Sequence, residues 1–174
     1  MIQRICKAAF YCPHFILWFL GLVSVAALAA ALTSQYAFGL RPCELCIFQR
    51  IPYAVVILLS MLGLVATKQM GAKYGAFNIF LCGVALLINS GIAFYHVGVE
   101  EGWWTSGCSL PNLSAQSVDD MMNAIKSAPA VSCSAKPWSL FGITMAGYNL
   151  VLCAGLGLYS IFASIMVTRK ANGV

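Results

Sequence analysis

Phe15-Ile-Leu-Trp-Phe-Leu-Gly-Leu-Val-Ser-Val-Ala-Ala-Leu-Ala-Ala-Ala-Leu32 contains no charge, and Ser24 is its only polar side chain. A helix rises about 1.5 Å per residue, so roughly 20 apolar residues cross a bilayer core of about 30 Å. The stretch therefore reads as a transmembrane helix over about 14–33. Arg4 and Lys7 precede it and small alanines close it, which is also the pattern of a cleaved signal peptide. The run is longer than a usual signal core and further spans follow, so a retained helix is expected. Three more apolar segments, at about 44–66, 74–96 and 139–167, predict an all-α bundle of four transmembrane helices forming one domain over 1–174. Trp138 to Val167 is longer than a span needs, so its first residues belong to the interface or the helix tilts.

Composition agrees. The 174 residues are 61% hydrophobic and 9% charged, with a mean hydropathy of +0.86. A soluble domain needs far more surface charge than this. The net charge of +5 forms no basic stripe, so nucleic acid is not an expected partner.

The placement of charge orients the bundle. Arg4 and Lys7, Lys68 and Lys73, and Arg169 and Lys170 flank one set of helix ends. All five acids, Glu44, Glu100, Glu101, Asp119 and Asp120, fall at the other. Lys and Arg favour cytoplasmic loops. Both termini are thus expected inside, with 33–43 and the long loop 100–137 outside, and Trp103, Trp104 and Trp138 in an outer aromatic belt. Within that loop Val118, Met121, Met122 and Ile125 follow helical spacing, and Ser117 with Asp120 resembles a capping box. A short amphipathic helix over about 117–126 is predicted, either on the membrane surface or packed on the bundle top.

The eight cysteines sort by this topology. Cys43 and Cys46 form a C-x-x-C at the outer end of the second span. Cys108 and Cys133 lie in the outer loop. Cys6, Cys12, Cys82 and Cys153 read as small packing residues or free thiols. A C-x-x-C can be a redox pair, half a zinc site or a structural disulfide. Pro42 precedes Cys43 and the helix starts there, so Cys46 sits in its first turn. The partial positive charge of a helix N-terminus favours a thiolate at that position. Arg50, four residues on, shares a helix face with Cys46. It is either a snorkelling anchor or a functional cation, and the positive-inside bias disfavours a mere anchor at the outer end. His96, at similar depth in the third span, is an interfacial histidine or, beside Arg50, a ligand for a carbonyl oxygen. A bridge between Cys108 and Cys133 would close a 24-residue loop and stabilise by about 3.5 kcal/mol on a chain-entropy model. The same loop, rich in turns, would leave it open to an external thiol.

Three stretches together resemble the bacterial disulfide bond formation protein B (DsbB) family: Arg41-Pro-Cys-Glu-Leu-Cys-Ile-Phe-Gln-Arg50, Phe94-Tyr-His-Val-Gly-Val-Glu100 and Trp138-Ser-Leu-Phe-Gly-Ile-Thr-Met-Ala-Gly147. The resemblance covers nearly the whole chain from the first span onward. It implies a multi-pass protein of the bacterial inner membrane, a disulfide-forming oxidoreductase that reoxidises a periplasmic DsbA-like thiol oxidase. The electron acceptor it implies is a membrane quinone, ubiquinone or menaquinone, with no metal. Carried over by position, Cys108 takes the mixed disulfide with the partner, Cys133 attacks Cys43, and Cys46 passes electrons to quinone. Arg50 and His96 match quinone-site residues. Some family members carry an acid where this chain has Gln49. Two other classes stand beside this reading: a Cys₄ zinc site built from Cys43, Cys46, Cys108 and Cys133, and a tetraspan protein with static disulfides. A reductive enzyme of the vitamin K epoxide reductase type would share the chemistry but not this motif order.

Overall fold

The structure is a computed structural model and describes residues 11–104, 133, 134, 136 and 138–173. Cys108 and the amphipathic helix expected over 117–126 lie outside the described residues. Helix α1 runs Pro13–Tyr36, α2 Glu44–Phe48, α3 Arg50–Met70, α4 Ala72–Glu100 and α5 Met145–Ala171. A two-stranded antiparallel hairpin, β1 Ser139–Leu140 with β2 Ile143–Thr144, precedes α5.

With α2 and α3 counted as one span, four helical segments among the described residues are long and apolar enough to cross a membrane. At 24 to 29 residues, each exceeds the roughly 20 needed. Their outward faces carry Trp18, Leu22, Leu58 and Val151, all more than 60% exposed. Such a surface is stable against lipid rather than water. This is a multi-pass membrane protein of the four-helix type.

The four spans run three or four residues past their expected ends, and two of them differ further for physical reasons. The second span is interrupted at Gln49. Pro52 has no N–H to return to the carbonyl of residue 48 and its ring crowds that carbonyl, so α2 ends there and α3 starts afresh. The fourth span begins at Met145 rather than near 139. Phe141 and Gly142 both adopt positive φ (51° and 78°), and this turn folds the preceding residues into the hairpin. The Thr144 hydroxyl then caps α5 by accepting from Gly147 N at 3.2 Å. The link between α3 and α4 is the single residue Gly71, at φ 98°.

α4 packs against α5 and α3, and α1 chiefly against α3. The α4–α5 contact is close because of Gly83 and Gly157. A Cβ on Gly83 would lie 3.1 Å from the Gly157 carbonyl oxygen, and one on Gly157 3.2 Å from that of Gly83. Small residues let membrane helices approach where no hydrophobic effect drives them together. Buried hydroxyls are satisfied locally: Thr67 donates to the Gly63 carbonyl at 2.6 Å and Ser160 to that of Leu156 at 2.7 Å.

Candidate active site

The site gathers at the end of the bundle where α1 ends, α2 begins, α4 ends and α5 begins. Cys43 is the N-cap of α2, and its sulfur accepts from the Cys46 backbone N–H at 3.3 Å. The C-x-x-C spacing across one turn brings the two sulfurs to 2.8 Å as free thiols. His96, one turn before the end of α4, places Nε2 at 3.5 Å from Cys43 Sγ. Cys133 is fully buried against Cys43 and Val99, and its backbone hydrogen-bonds His96. The second pair of cysteines is thus represented at the first pair's side. Cys133 is itself disulfide-bonded, to a partner outside the described residues, which removes it from a Cys₄ metal set. Among the described residues, the donor atoms of Cys43, Cys46 and His96 lie within 4.8 Å of one another.

The sequence suggests a thiolate at Cys46, but the hydrogen bonds converge on Cys43 instead. The Cys46 thiol is the largest influence on it, and His96 and the Cys46 backbone N–H add to it. Against the opposing effect of burial, they bring the Cys43 pKa down to about 4. As the N-cap, Cys43 sits where helix N–H groups point, which a first-turn residue does not.

Among the described residues, no hydrogen bond joins Arg50 to either sulfur. Its Nη1 donates to Gln35 Oε1 at 2.7 Å, tying α3 to α1. Arg50, Cys46, Gln49 and His96 nevertheless line one cavity of about 440 Å³. Ala27, Ala30, Ala31, Met145 and Leu152 supply apolar walls. The volume and the ratio of apolar wall to a few convergent polar groups suit a small-molecule site.

Further residues complete the site: Gln49, Glu100 and Thr144 lie within the three family stretches, whereas Tyr53 and Asn149 carry no motif of their own. Gln49 Nε2 donates to His96 Nδ1 at 2.9 Å, and Gln49 Oε1 accepts from Asn149 Nδ2 at 2.8 Å. Asn149 Oδ1 in turn accepts from the Tyr53 hydroxyl. Glu100 Oε1 stands 3.8 Å from His96 Nε2, while its Oε2 accepts from Thr144 Oγ1 at 2.6 Å. That last bond ties the end of α4 to the start of α5. Polar residues inside predicted spans were the available signal, though spacing alone does not pair Gln49 with Asn149, a hundred positions away.

The family model for Disulfide bond formation protein DsbB matches residues 13–163. The chain belongs to the DsbB family. A Disulfide bond formation protein B of Xanthomonas axonopodis pv. citri is 31% identical, over 87% of this chain and 91% of that protein. One from Aromatoleum aromaticum is 30% identical, over 89% and 93% respectively. An uncharacterized protein of Rickettsia prowazekii is also 30% identical, over 86% of each chain. DsbB membership assigns the chain a role in disulfide bond formation and a disulfide oxidoreductase activity. It also fits a bundle whose free thiol pair adjoins a disulfide-bonded cysteine.

Proposed function

We propose that the chain is a thiol:quinone oxidoreductase of the bacterial inner membrane, with both termini cytoplasmic, which reoxidises a periplasmic DsbA-like dithiol protein. The observation that supports this best is that Cys43, Cys46, Arg50 and His96 line the same apolar cavity. A planar apolar ring bearing carbonyl acceptors suits that combination of alanine and leucine walls with an arginine fork and an imidazole. Arg50, His96 and Cys46 would hold a quinone, which supplies a two-electron, two-proton acceptor soluble in lipid.

The chain's own steps are thiol–disulfide exchanges. A partner thiolate attacks Cys108 of a Cys108–Cys133 disulfide and releases Cys133 as thiolate. The partner's second thiolate attacks its own sulfur in that mixed disulfide, which frees Cys108 and leaves the partner oxidised. Cys133, beside Cys43, then attacks Cys43 of the Cys43–Cys46 disulfide and releases Cys46. Attack of Cys108 on Cys133 restores the first disulfide and leaves Cys43 and Cys46 as a dithiol. Reoxidation of that dithiol sends two electrons and two protons to the acceptor. Once Cys43 is free, the Cys46 thiol, His96 Nε2 and the Cys46 backbone N–H all stabilise its thiolate.

The test is anaerobic turnover of a reduced DsbA-like protein by the purified chain, with ubiquinone and menaquinone analogues supplied separately. Quinone reduction stoichiometric with partner disulfide formation is expected. Sustained partner oxidation beyond the chain's own two disulfides in the absence of any quinone, or none with every quinone, overturns the reading.

A further inference from the structure

The imidazole of His96 has acceptors on one side and a donor on the other. Nε2 faces Cys43 Sγ at 3.5 Å and Glu100 Oε1 at 3.8 Å, and the Cys133 backbone also accepts from the ring. Nδ1 faces the Gln49 side-chain amide at 2.9 Å. Which nitrogen carries the hydrogen depends on which end of that amide is turned to it.

The orientation of Gln49 is set further along. Its other amide atom bonds Asn149, whose own amide bonds the Tyr53 hydroxyl and Cys153 Sγ. Cys153 already receives Asn89 Nδ2 at 3.4 Å. Asn89 is fully buried and keeps only its carbonyl oxygen unpartnered, a smaller loss than an unpartnered NH₂ would be. Sulfur is a weak acceptor, and a second amide NH₂ turned toward Cys153 would be poorly satisfied. Asn149 therefore turns its oxygen to Tyr53 and Cys153, both of which can donate, and its NH₂ to Gln49 Oε1. Gln49 is left with its NH₂ toward Nδ1.

We propose that Tyr53, Asn149 and Gln49 are positioning residues that hold His96 as the Nε2–H tautomer, with that hydrogen directed at Cys43 Sγ. The inference rests on the reading of Cys43 and Cys46 as the redox pair. It deepens that reading by assigning the line of three side chains behind His96. Neither amide has to move a proton. Their effect is to exclude a hydrogen from Nδ1, so that the ring meets the Cys43 sulfur as a donor rather than as an acceptor.

The line makes a directional prediction. Gln49→Glu replaces the donor at Nδ1 by a carboxylate that can only accept, so the ring hydrogen should move to Nδ1. Asn149→Asp removes the donor to Gln49 Oε1 and should turn the Gln49 amide over with the same result. The chain has two histidines, so a His14→Gln background leaves His96 as the sole ¹⁵N-imidazole signal. Its tautomer is read by NMR in nanodiscs at a pH above the ring's titration. The parent should show Nε2–H, and either variant that folds should show Nδ1–H. An Nδ1–H parent, or both variants keeping Nε2–H, overturns the inference. Quinone-linked turnover measured on the same parent sample tests the functional reading separately, because the tautomer is read without turnover.

Discussion

Cys133, with no exposed surface, packs against Cys43 at the N-cap of α2. A soluble protein cannot attack a sulfur that it cannot touch. On the proposed relay, an incoming thiol would therefore attack the other half of the Cys133 disulfide and release Cys133 beside the Cys43–Cys46 pair. Burial would then separate a sulfur for the partner from a sulfur for the second pair.

A partner lacking its second cysteine should accordingly be trapped on Cys108. The mixed disulfide would lose the partner thiol that resolves it, while Cys133 goes on to Cys43. Non-reducing electrophoresis of membranes should show the adduct with the parent chain and not with Cys108→Ala. No adduct with the parent chain would refute the relay.

The low Cys43 pKa sets a pH window. The hydrogen bonds from the Cys46 thiol and from His96 hold it at about 4, against a usual thiol value of 9.0. Peptide-resolved alkylation of Cys43 in the reduced protein should stay nearly flat from pH 8 to 5 and fall below about 4. The depressed pKa also has a stability consequence. Its contribution to the reduced fold is complete above pH 9, declines with falling pH and is gone below about 4. Cys46→Ala removes the largest of the stabilising bonds and should move the alkylation midpoint upward. An unchanged midpoint would show that Cys46 does not govern it.

Helical segments were legible in the sequence because lipid imposes a length and an apolar composition that few other structures share. The clustering of Cys43, Cys46 and His96 was approachable because two are adjacent in sequence and the third sits at matching depth. The identity of the favoured thiolate was not. It depends on Cys43 being the N-cap, which follows from its extended backbone just ahead of α2 rather than from spacing. The Arg50–Gln35 bond was hidden for a related reason: α1 runs on to Tyr36, past the apolar run that marked its end. Gln49, Asn149 and Tyr53 meet only after α3 and α5 pack together, and no local pattern announces such contacts.

Packing between α4 and α5 should be intolerant of bulk at their glycine crossing. A Cβ on Gly83 would already lie 3.0 Å from Ile161 Cγ1 and 3.1 Å from the Gly157 carbonyl oxygen. The carbonyl belongs to helix backbone and cannot step aside as a side-chain tip can. Gly83→Val should cost about 1–3 kcal/mol as overpacking, seen as a lower thermal midpoint in detergent. The conservative Gly155→Ala, where nothing lies within 4 Å of the added carbon, should leave the midpoint nearly unchanged. Equal midpoints for the two variants would show that the crossing is not tightly packed.

Arg50 lines the cavity with Cys46 but turns Nη1 to Gln35, and no bond joins it to Cys43 or Cys46 among the described contacts. This separates two roles that the sequence alone would merge. If Arg50 serves the acceptor rather than the thiols, Arg50→Met should raise the apparent quinone KM and leave the Cys43 alkylation profile in place. A hydrogen bond to a charged group contributes about 1.5–3 kcal/mol. The KM should therefore rise about ten- to a hundredfold, at 1.4 kcal/mol per factor of ten. Arg50→Lys keeps a charge but loses the planar pair of donors that can bridge Gln35 and a carbonyl together, so its KM should fall between the two. Formation of the mixed disulfide with a partner lacking its second cysteine should be unaffected, since that exchange needs no acceptor. Steady-state kinetics across a quinone series and pH-resolved alkylation read the two roles independently. A shifted Cys43 profile with an unchanged KM would assign Arg50 to the thiol pair instead, and no change in either would leave it as the strut that joins α3 to α1.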